Sequence, residues 1–265
     1  MIRRFAIVGF MVCLFGVLLW RARPVETRSI HGQAMGCEWT LQWRGTAATP
    51  AALQHEANKV LSHWEQVMST WRADSDLSRF NQGASASPDL RRVIDLAESI
   101  QQQSEGAFDP NLLEKVHEAG FAPVGKGLDL SGIGKGFAVD RVGERLRVLG
   151  VNDFLFQLAG ETLAGDGVWE VGIEAPDPSS RTLTKKVTLQ KQALATSGNY
   201  RQFQRTAQGI VSHIIDPRSG KPVIRPFSSV TVIANDCAQA DAWSTALFVL
   251  GKNHDPPSLK LIWQE

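Results

Sequence analysis

Asp241, Ser244 and Thr245 stand at i, i+3 and i+4 within AQADAWSTALFVLG, and a helix there carries all three on one face. Apolar residues fill most of that run, so the helix is expected to be buried. A buried carboxylate costs several kcal/mol unless something compensates it. The stripe offers only oxygen: a carboxylate and two hydroxyls. Oxygen donors suit Mg²⁺ or Ca²⁺ rather than zinc, and Mg²⁺ commonly bridges a few protein oxygens and a substrate phosphate. The plainer alternative is an aspartate hydrogen-bonded to backbone at a neighbouring turn.

Four other stretches bear on chemistry. LDLSGIGKGFAVD, residues 128–140, predicts a short strand near Leu128–Leu130, a loop holding Gly132, Gly134 and Gly136, and a helix from about Lys135 to Leu149. Glycines let backbone approach a ligand, a helix N-terminus favours anions, and Lys135 adds charge, which suits a diphosphate. The spacing is neither Walker A nor a good GxGxxG, and a tight turn packing a helix on a sheet explains it as well. GAFDP, residues 106–110, puts Phe108 and Asp109 just past a helix end, where a capping turn with a core Phe is the alternative. In STWRADSDLSRFN, residues 69–81, Trp71 can stack on a flat ring or anchor the core. SHIIDPRSGKPV, residues 212–223, runs from a strand carrying His213 into a turn after Asp216; a lone strand histidine is usually structural. HExxH, paired CxxC and GxSxG patterns are absent, so zinc-hydrolase and serine-hydrolase readings lack support.

These residues need a scaffold. SIHGQAMGCEWTLQW, residues 29–43, reads as strand, glycine break, strand. Thr49-Pro50 and Ser87-Pro88 each open a helix, with a hydroxyl cap followed by proline. Leu53, Ala57, Val60, Trp64 and Val67 keep helical period in the first, and Leu90, Val93, Ala97 and Ile100 in the second. Gly106 is placed to stop the latter. Hairpin-like strand pairs dominate the second half, which predicts an α+β fold rather than a doubly wound sheet. The chain has 265 residues, 43% hydrophobic and 21% charged, with a formal charge of +1. That is ordinary globular composition, and no dense basic tract points to nucleic acid. Residues 1–24 are expected to form a signal-anchor: Arg3 and Arg4, an uncharged run from Phe5 to Trp20, then Arg21 and Arg23. Residues 25–265 form one domain. Cys13 reads as one more apolar residue of the anchor; Cys37 and Cys237 make no disulfide framework, although a single bridge is open.

Taken together and in order, the motifs resemble the ApbE family of FAD:protein FMN transferases. The matching stretches are AMG at 34–36, STWRADSDLSRFN at 69–81, GAFDP at 106–110 and LDLSGIGKGFAVDRV at 128–142. They continue with AGE at 159–161, ATSGNYR at 195–201, SHIIDPRSGKPV at 212–223, and SVTVIANDCAQADAWSTALFVLG at 229–251. The resemblance implies a single domain of mixed, largely antiparallel sheets packed with helices. It implies FAD as substrate, Mg²⁺ as cofactor, and transfer of the FMN half to a threonine hydroxyl of a target flavoprotein with release of AMP. Met35, Trp71, Ala107, Phe108, Asp109, Asp129, Lys135 and Ile215 match flavin-nucleotide contacts. Gly132, through its carbonyl, and Asp241, Ser244 and Thr245 match metal positions. His213 is the candidate for activating the acceptor hydroxyl, with Asp216 next. The implied acceptor is a membrane redox-pump or electron-transfer subunit, met on the periplasmic side of a bacterial inner membrane. Water in place of threonine would make the site an FAD diphosphatase, and loss of turnover would leave a membrane-anchored flavin-binding protein. The sequence departs from the family in lacking a convincing lipobox and in its short tail after Gly251, where SLKLIWQE is placed to close the sheet.

Overall fold

Alternating burial builds the first hairpin: β1 (Thr27–Ala34) pairs antiparallel with β2 (Cys37–Arg44), from Thr27↔Arg44 to Ala34↔Cys37. Met35 and Gly36 are left to turn the chain, with φ of 52° and 70°. A two-residue hairpin turn needs that left-handed region, which glycine adopts freely and methionine only under strain. The computed structural model describes residues 26–265 apart from 208, 253, 255, 257 and 258. The expected anchor, residues 1–24, therefore lies outside the described residues. Among those described, no helix is long and apolar enough to cross a membrane.

Helix α1 (Pro50–Met68) starts as its sequence predicts: Thr49 Oγ1 accepts the Ala52 N–H at 3.2 Å, with Pro50 in the first turn. It buries Leu53, Ala57, Leu61, Trp64 and Val67. After the short α2 (Asp76–Asn81), α3 (Pro88–Gln103) repeats the device, with Ser87 Oγ accepting the Leu90 N–H. Gly106, at φ 79°, donates to the Gln101 carbonyl and ends the helix. A single turn and a half, α4 (Leu113–Glu118), leads to the central helix.

The expected strand at Leu128–Leu130 does not form. Asn81 supplies the reason: its amide donates to the Leu128 carbonyl and its Oδ1 accepts the Leu128 N–H, each at 2.9 Å, and the Asp129 N–H is given to the Pro110 carbonyl. A side chain thus takes the hydrogen bonds a neighbouring strand would have taken. The expected glycine loop is also helical. Helix α5 (Ser131–Val148) already contains Gly132, Gly134 and Gly136. The glycines serve close packing: a Cβ on Gly136 would stand 2.3 Å from the Cys237 carbonyl oxygen.

The second half is built of hairpins. In order, its strands are β3 (Phe154–Leu158), β4 (Glu161–Ala164), β5 (Trp169–Glu174), β6 (Leu183–Leu189), β7 (Ala193–Gly198), β8 (Phe203–Thr206), β9 (Gly209–Asp216), β10 (Lys221–Ile224) and β11 (Ser229–Ala234). Helix α6 (Cys237–Leu250) and β12 (Lys260–Gln264) follow. Seven strands form one antiparallel sheet in the order β1-β2-β3-β4-β7-β11-β12, so KLIWQ of the expected closing segment does form an edge strand. β8–β10 make a three-stranded sheet and β5–β6 a ribbon. Successive residues serve opposite faces of the large sheet. Phe154, Phe156, Val230 and Val232 join the helix-side core, while Leu155, Leu194 and Ile233 pack against Trp169, Val171 and Val187 of the ribbon side. The fold is α+β, with antiparallel sheets and helices. Cys37 and Cys237 are free thiols.

Candidate active site

Helices α5 and α6 pack side by side and exchange carboxylates. Asp140 of α5 caps α6, accepting the N–H groups of Cys237 at 2.8 Å and Ala238 at 2.9 Å. Asp241 of α6 answers with Oδ2, which accepts the Gly136 N–H of α5 at 2.9 Å. An α-helix points the N–H of residue 136 at the carbonyl of residue 132, so Asp241 is drawn beside Gly132. Thr245, one turn on, lies there too: a Cβ on Gly132 would come within 3.2 Å of both Thr245 Oγ1 and Phe108. The absent side chain thus leaves room beside Thr245 and Phe108, and Asp241 reaches the same helical turn through the Gly136 N–H.

The hydroxyls around it form an ordered chain. Ser244 Oγ donates to the Asp241 carbonyl at 2.9 Å. Its one proton is spent, so Ser197 Oγ on β7, at 2.7 Å, must donate to Ser244. Ser197 then accepts from Thr245 Oγ1 at 3.3 Å. The Thr245 proton is turned away and its lone pairs are left for a cation. Ser244 is fully buried and does not reach the cavity wall. The carbonyl, carboxylate and hydroxyl oxygens of Gly132, Asp241 and Thr245 suit a hard cation such as Mg²⁺. No cluster of three or more His, Cys, Asp or Glu side chains able to hold a metal occurs among the described residues.

These groups face a cavity of about 1210 Å³. Met35, Trp71, Ala107, Phe108, Asp109, Asp129, Gly132, Lys135, His213, Ile215, Asp241 and Thr245 all line it. Trp71 is 72% exposed at the rim, so it is no core anchor and its ring is free to stack. Phe108 is buried in the wall. Asp109 Oδ1 is engaged locally by Asn111, and Asp129 Oδ1 accepts the Ser131 N–H at 2.9 Å. Burial raises the Asp129 carboxyl above its usual range. At the α5 N-terminus, the N–H groups of Ser131, Ile133 and Gly134 already have protein acceptors, which narrows what that end can offer a phosphate.

Lys135 supplies the charge. Its Nζ donates to Glu161 Oε1 at 2.6 Å and stands 4.0 Å from Asp241 Oδ1. Burial works against the ammonium, but Asp241 and Glu161 outweigh it and raise its pKa. Burial likewise pushes the Asp241 and Glu161 carboxyls up, against the pull of Lys135.

His213 and Asp216 part company. His213 Nδ1 donates to the Gln202 carbonyl at 3.1 Å, which leaves the Nε2 lone pair as acceptor. Burial pushes the imidazole below its ordinary value, which favours the neutral form. Asp216 instead clasps Arg218, whose Nε and Nη2 donate to its two oxygens at 3.0 and 3.1 Å. That pair holds its carboxyl low, and it does not line the cavity. Sequence reasoning overlooked Ser197 and Glu161, although ATSGNYR and AGE carried them. Their roles depend on strand pairing that no local pattern announces.

Oxygen donors beside Lys135, in a cavity with Trp71 at its rim, thus lie on an α+β scaffold. A model of the ApbE family matches residues 35–127 and 122–261, and the chain belongs to that family. It is 29% identical to an FAD:protein FMN transferase of Vibrio cholerae serotype O1, over 92% of this chain and 88% of the relative. It is 27% identical to that of Escherichia coli K12, over 87% and 80%. Among solved structures, the flavin transferase ApbE from Vibrio cholerae superposes with a TM-score of 0.74 at 26% identity, covering 91% of this chain and 98% of that one. The apo form of Pseudomonas stutzeri flavinyl transferase ApbE gives 0.77 at 26%, covering 91% and 95%.

Proposed function

We propose that this protein is an Mg²⁺-dependent FAD:protein FMN transferase. It esterifies FMN onto a threonine hydroxyl of a target flavoprotein and releases AMP. The observation that carries the reading is the convergence of Gly132, Asp241 and Thr245 beside Lys135, in a chain whose relatives bear that name.

Trp71 and Phe108 provide apolar surface for the ring systems. Lys135 Nζ faces the diphosphate as a point charge. The acceptor threonine Oγ attacks the FMN phosphorus, and the bond from that phosphorus to the bridging oxygen of AMP breaks. The hydroxyl proton passes to His213 Nε2, which the Gln202 carbonyl holds in the right tautomer. Departing AMP keeps the bridging oxygen and takes up a proton. Mg²⁺ held by the Gly132 carbonyl, Asp241 and Thr245 would neutralise diphosphate charge and the charge growing on the leaving group. Asp216 serves the β9–β10 turn through Arg218.

The acceptor is a membrane redox subunit on the periplasmic side of the inner membrane, with residues 1–24 anchoring the enzyme beside it. The test incubates the purified full chain with FAD, MgCl₂ and such a subunit. Flavin fluorescence on the denatured acceptor, with one AMP released per flavin, is the expected result. AMP and FMN released equally without an acceptor would mean a diphosphatase, and FAD bound without turnover would mean a binding protein.

A further inference from the structure

Lys135 lies between two buried carboxylates and is shared unequally. Glu161 Oε1 holds Nζ at 2.6 Å, and Asp241 Oδ1 stands off at 4.0 Å. The side chains of both acids are 4% exposed. Glu161 opens β4, which is paired on one side with β3 and on the other with β7. The turn before it carries Ala159 at φ 52°, a strained conformation for alanine. The acid is thus rigidly mounted, whereas lysine is long and goes where the charge is fixed. Lys135 is the only side chain hydrogen-bonded to Glu161 among the described residues, and Oε2 is buried without a partner.

The sharing decides what Asp241 can do. Its Oδ2 is committed to the Gly136 N–H, so Oδ1 is the oxygen left for a ligand. An ammonium closed onto Oδ1 would occupy it. We infer that Glu161 is a positioning residue: it tethers the Lys135 ammonium away from Asp241, so that Oδ1 stays open to a divalent cation while Nζ faces the phosphates. The inference rests on the cation reading given above and adds a residue that acts on the cation through Lys135.

The test is Glu161→Gln, which keeps shape and removes the tether's charge. Two measurements are made without FAD: the crystal structure of the variant, and Mn²⁺ binding to the full chain followed by the EPR signal of free Mn²⁺. The expected results are Nζ within hydrogen-bond distance of Asp241 Oδ1 and Mn²⁺ affinity about 10- to 100-fold weaker, the range seen when a metal ligand loses its support. Lys135→Met is the second variant. It should bind Mn²⁺ at least as tightly as wild type while its KM for FAD rises, and it should restore binding when combined with Glu161→Gln. Unchanged Mn²⁺ affinity in Glu161→Gln overturns the inference. So does weakened affinity with Nζ still in place, since Glu161 would then act by charge alone. Weaker Mn²⁺ binding in Lys135→Met also overturns it, and that variant decides if Glu161→Gln does not fold. If wild type binds no Mn²⁺, the cation reading itself fails and this inference with it.

Discussion

Asp140 reaches from α5 to the start of α6, and Asp241 reaches from α6 back to α5. Both are buried aspartates on the same pair of helices, yet their environments differ by one oxygen. Asp140 gives both oxygens to backbone N–H groups at a helix N-terminus, a fully satisfied cap. Burial still pushes its carboxyl up to about 7, against the pull of those two donors. Asp241 gives one oxygen to backbone and turns the other toward Lys135 and the cavity. A carboxylate with no oxygen left is structural; one with an oxygen held open at the cost of burial is available for a ligand. The same helix interface thus leaves one carboxylate fully satisfied and the other with an oxygen for the proposed cation.

That contrast can be broken most severely at Asp241. In Asp241→Ala, turnover should fall on the order of 10³-fold and MgCl₂ should no longer raise the melting temperature, as read by AMP release and a thermal shift. A folded variant with unchanged Mg²⁺ dependence would remove the distinction. Asp140→Ala should do the reverse. Losing the acceptor of two buried N–H groups is expected to cost about 3 kcal/mol in urea unfolding, with Mg²⁺ half-saturation little changed. Gly136→Ala strikes Asp241 and the backbone of the α6 start that Asp140 caps, because its Cβ would meet the Cys237 carbonyl at 2.3 Å and Asp241 Cβ at 2.7 Å. It should destabilise by about 2 kcal/mol and weaken Mg²⁺ binding together. The smallest effect separates neighbours on α6. Thr245→Ala should raise the Mg²⁺ requirement about tenfold. Ser244→Ala should cost about 1 kcal/mol of stability and leave that requirement nearly unaltered, which direct ligation by Ser244 would contradict.

Local pattern carries much of this arrangement. Thr49-Pro50 and Ser87-Pro88 announce their helices because capping and proline placement are local physics. The AMG turn and the hairpins of the second half follow from alternation and glycine. LDLSGIGKGFAVD departs from its local pattern. Its apolar alternation reads as strand and its glycines as loop, since intrinsic propensity disfavours glycine in a helix by about 1 kcal/mol each. Tertiary contact overrode that preference, because only glycine lets α5 approach the Cys237 backbone so closely. The strand was lost to Asn81, a residue 47 positions away whose side chain took the backbone bonds.

The sequence by itself determined the α+β class, the helix starts at Thr49-Pro50 and Ser87-Pro88, the apolar burial of α6, and that Asp241 and Thr245 share a face. These follow from period and local hydrogen bonding, which act over a few residues. Only the tertiary structure decided which oxygens remain free. Ser244 is spent on the Asp241 carbonyl, Asp216 on Arg218, and Asp140 on the start of α6. Asp241 Oδ1 stays open because Glu161, from a strand distant in sequence, holds Lys135. Hydrogen-bond capacity is consumed by neighbours in space, and sequence spacing carries no record of who those neighbours are.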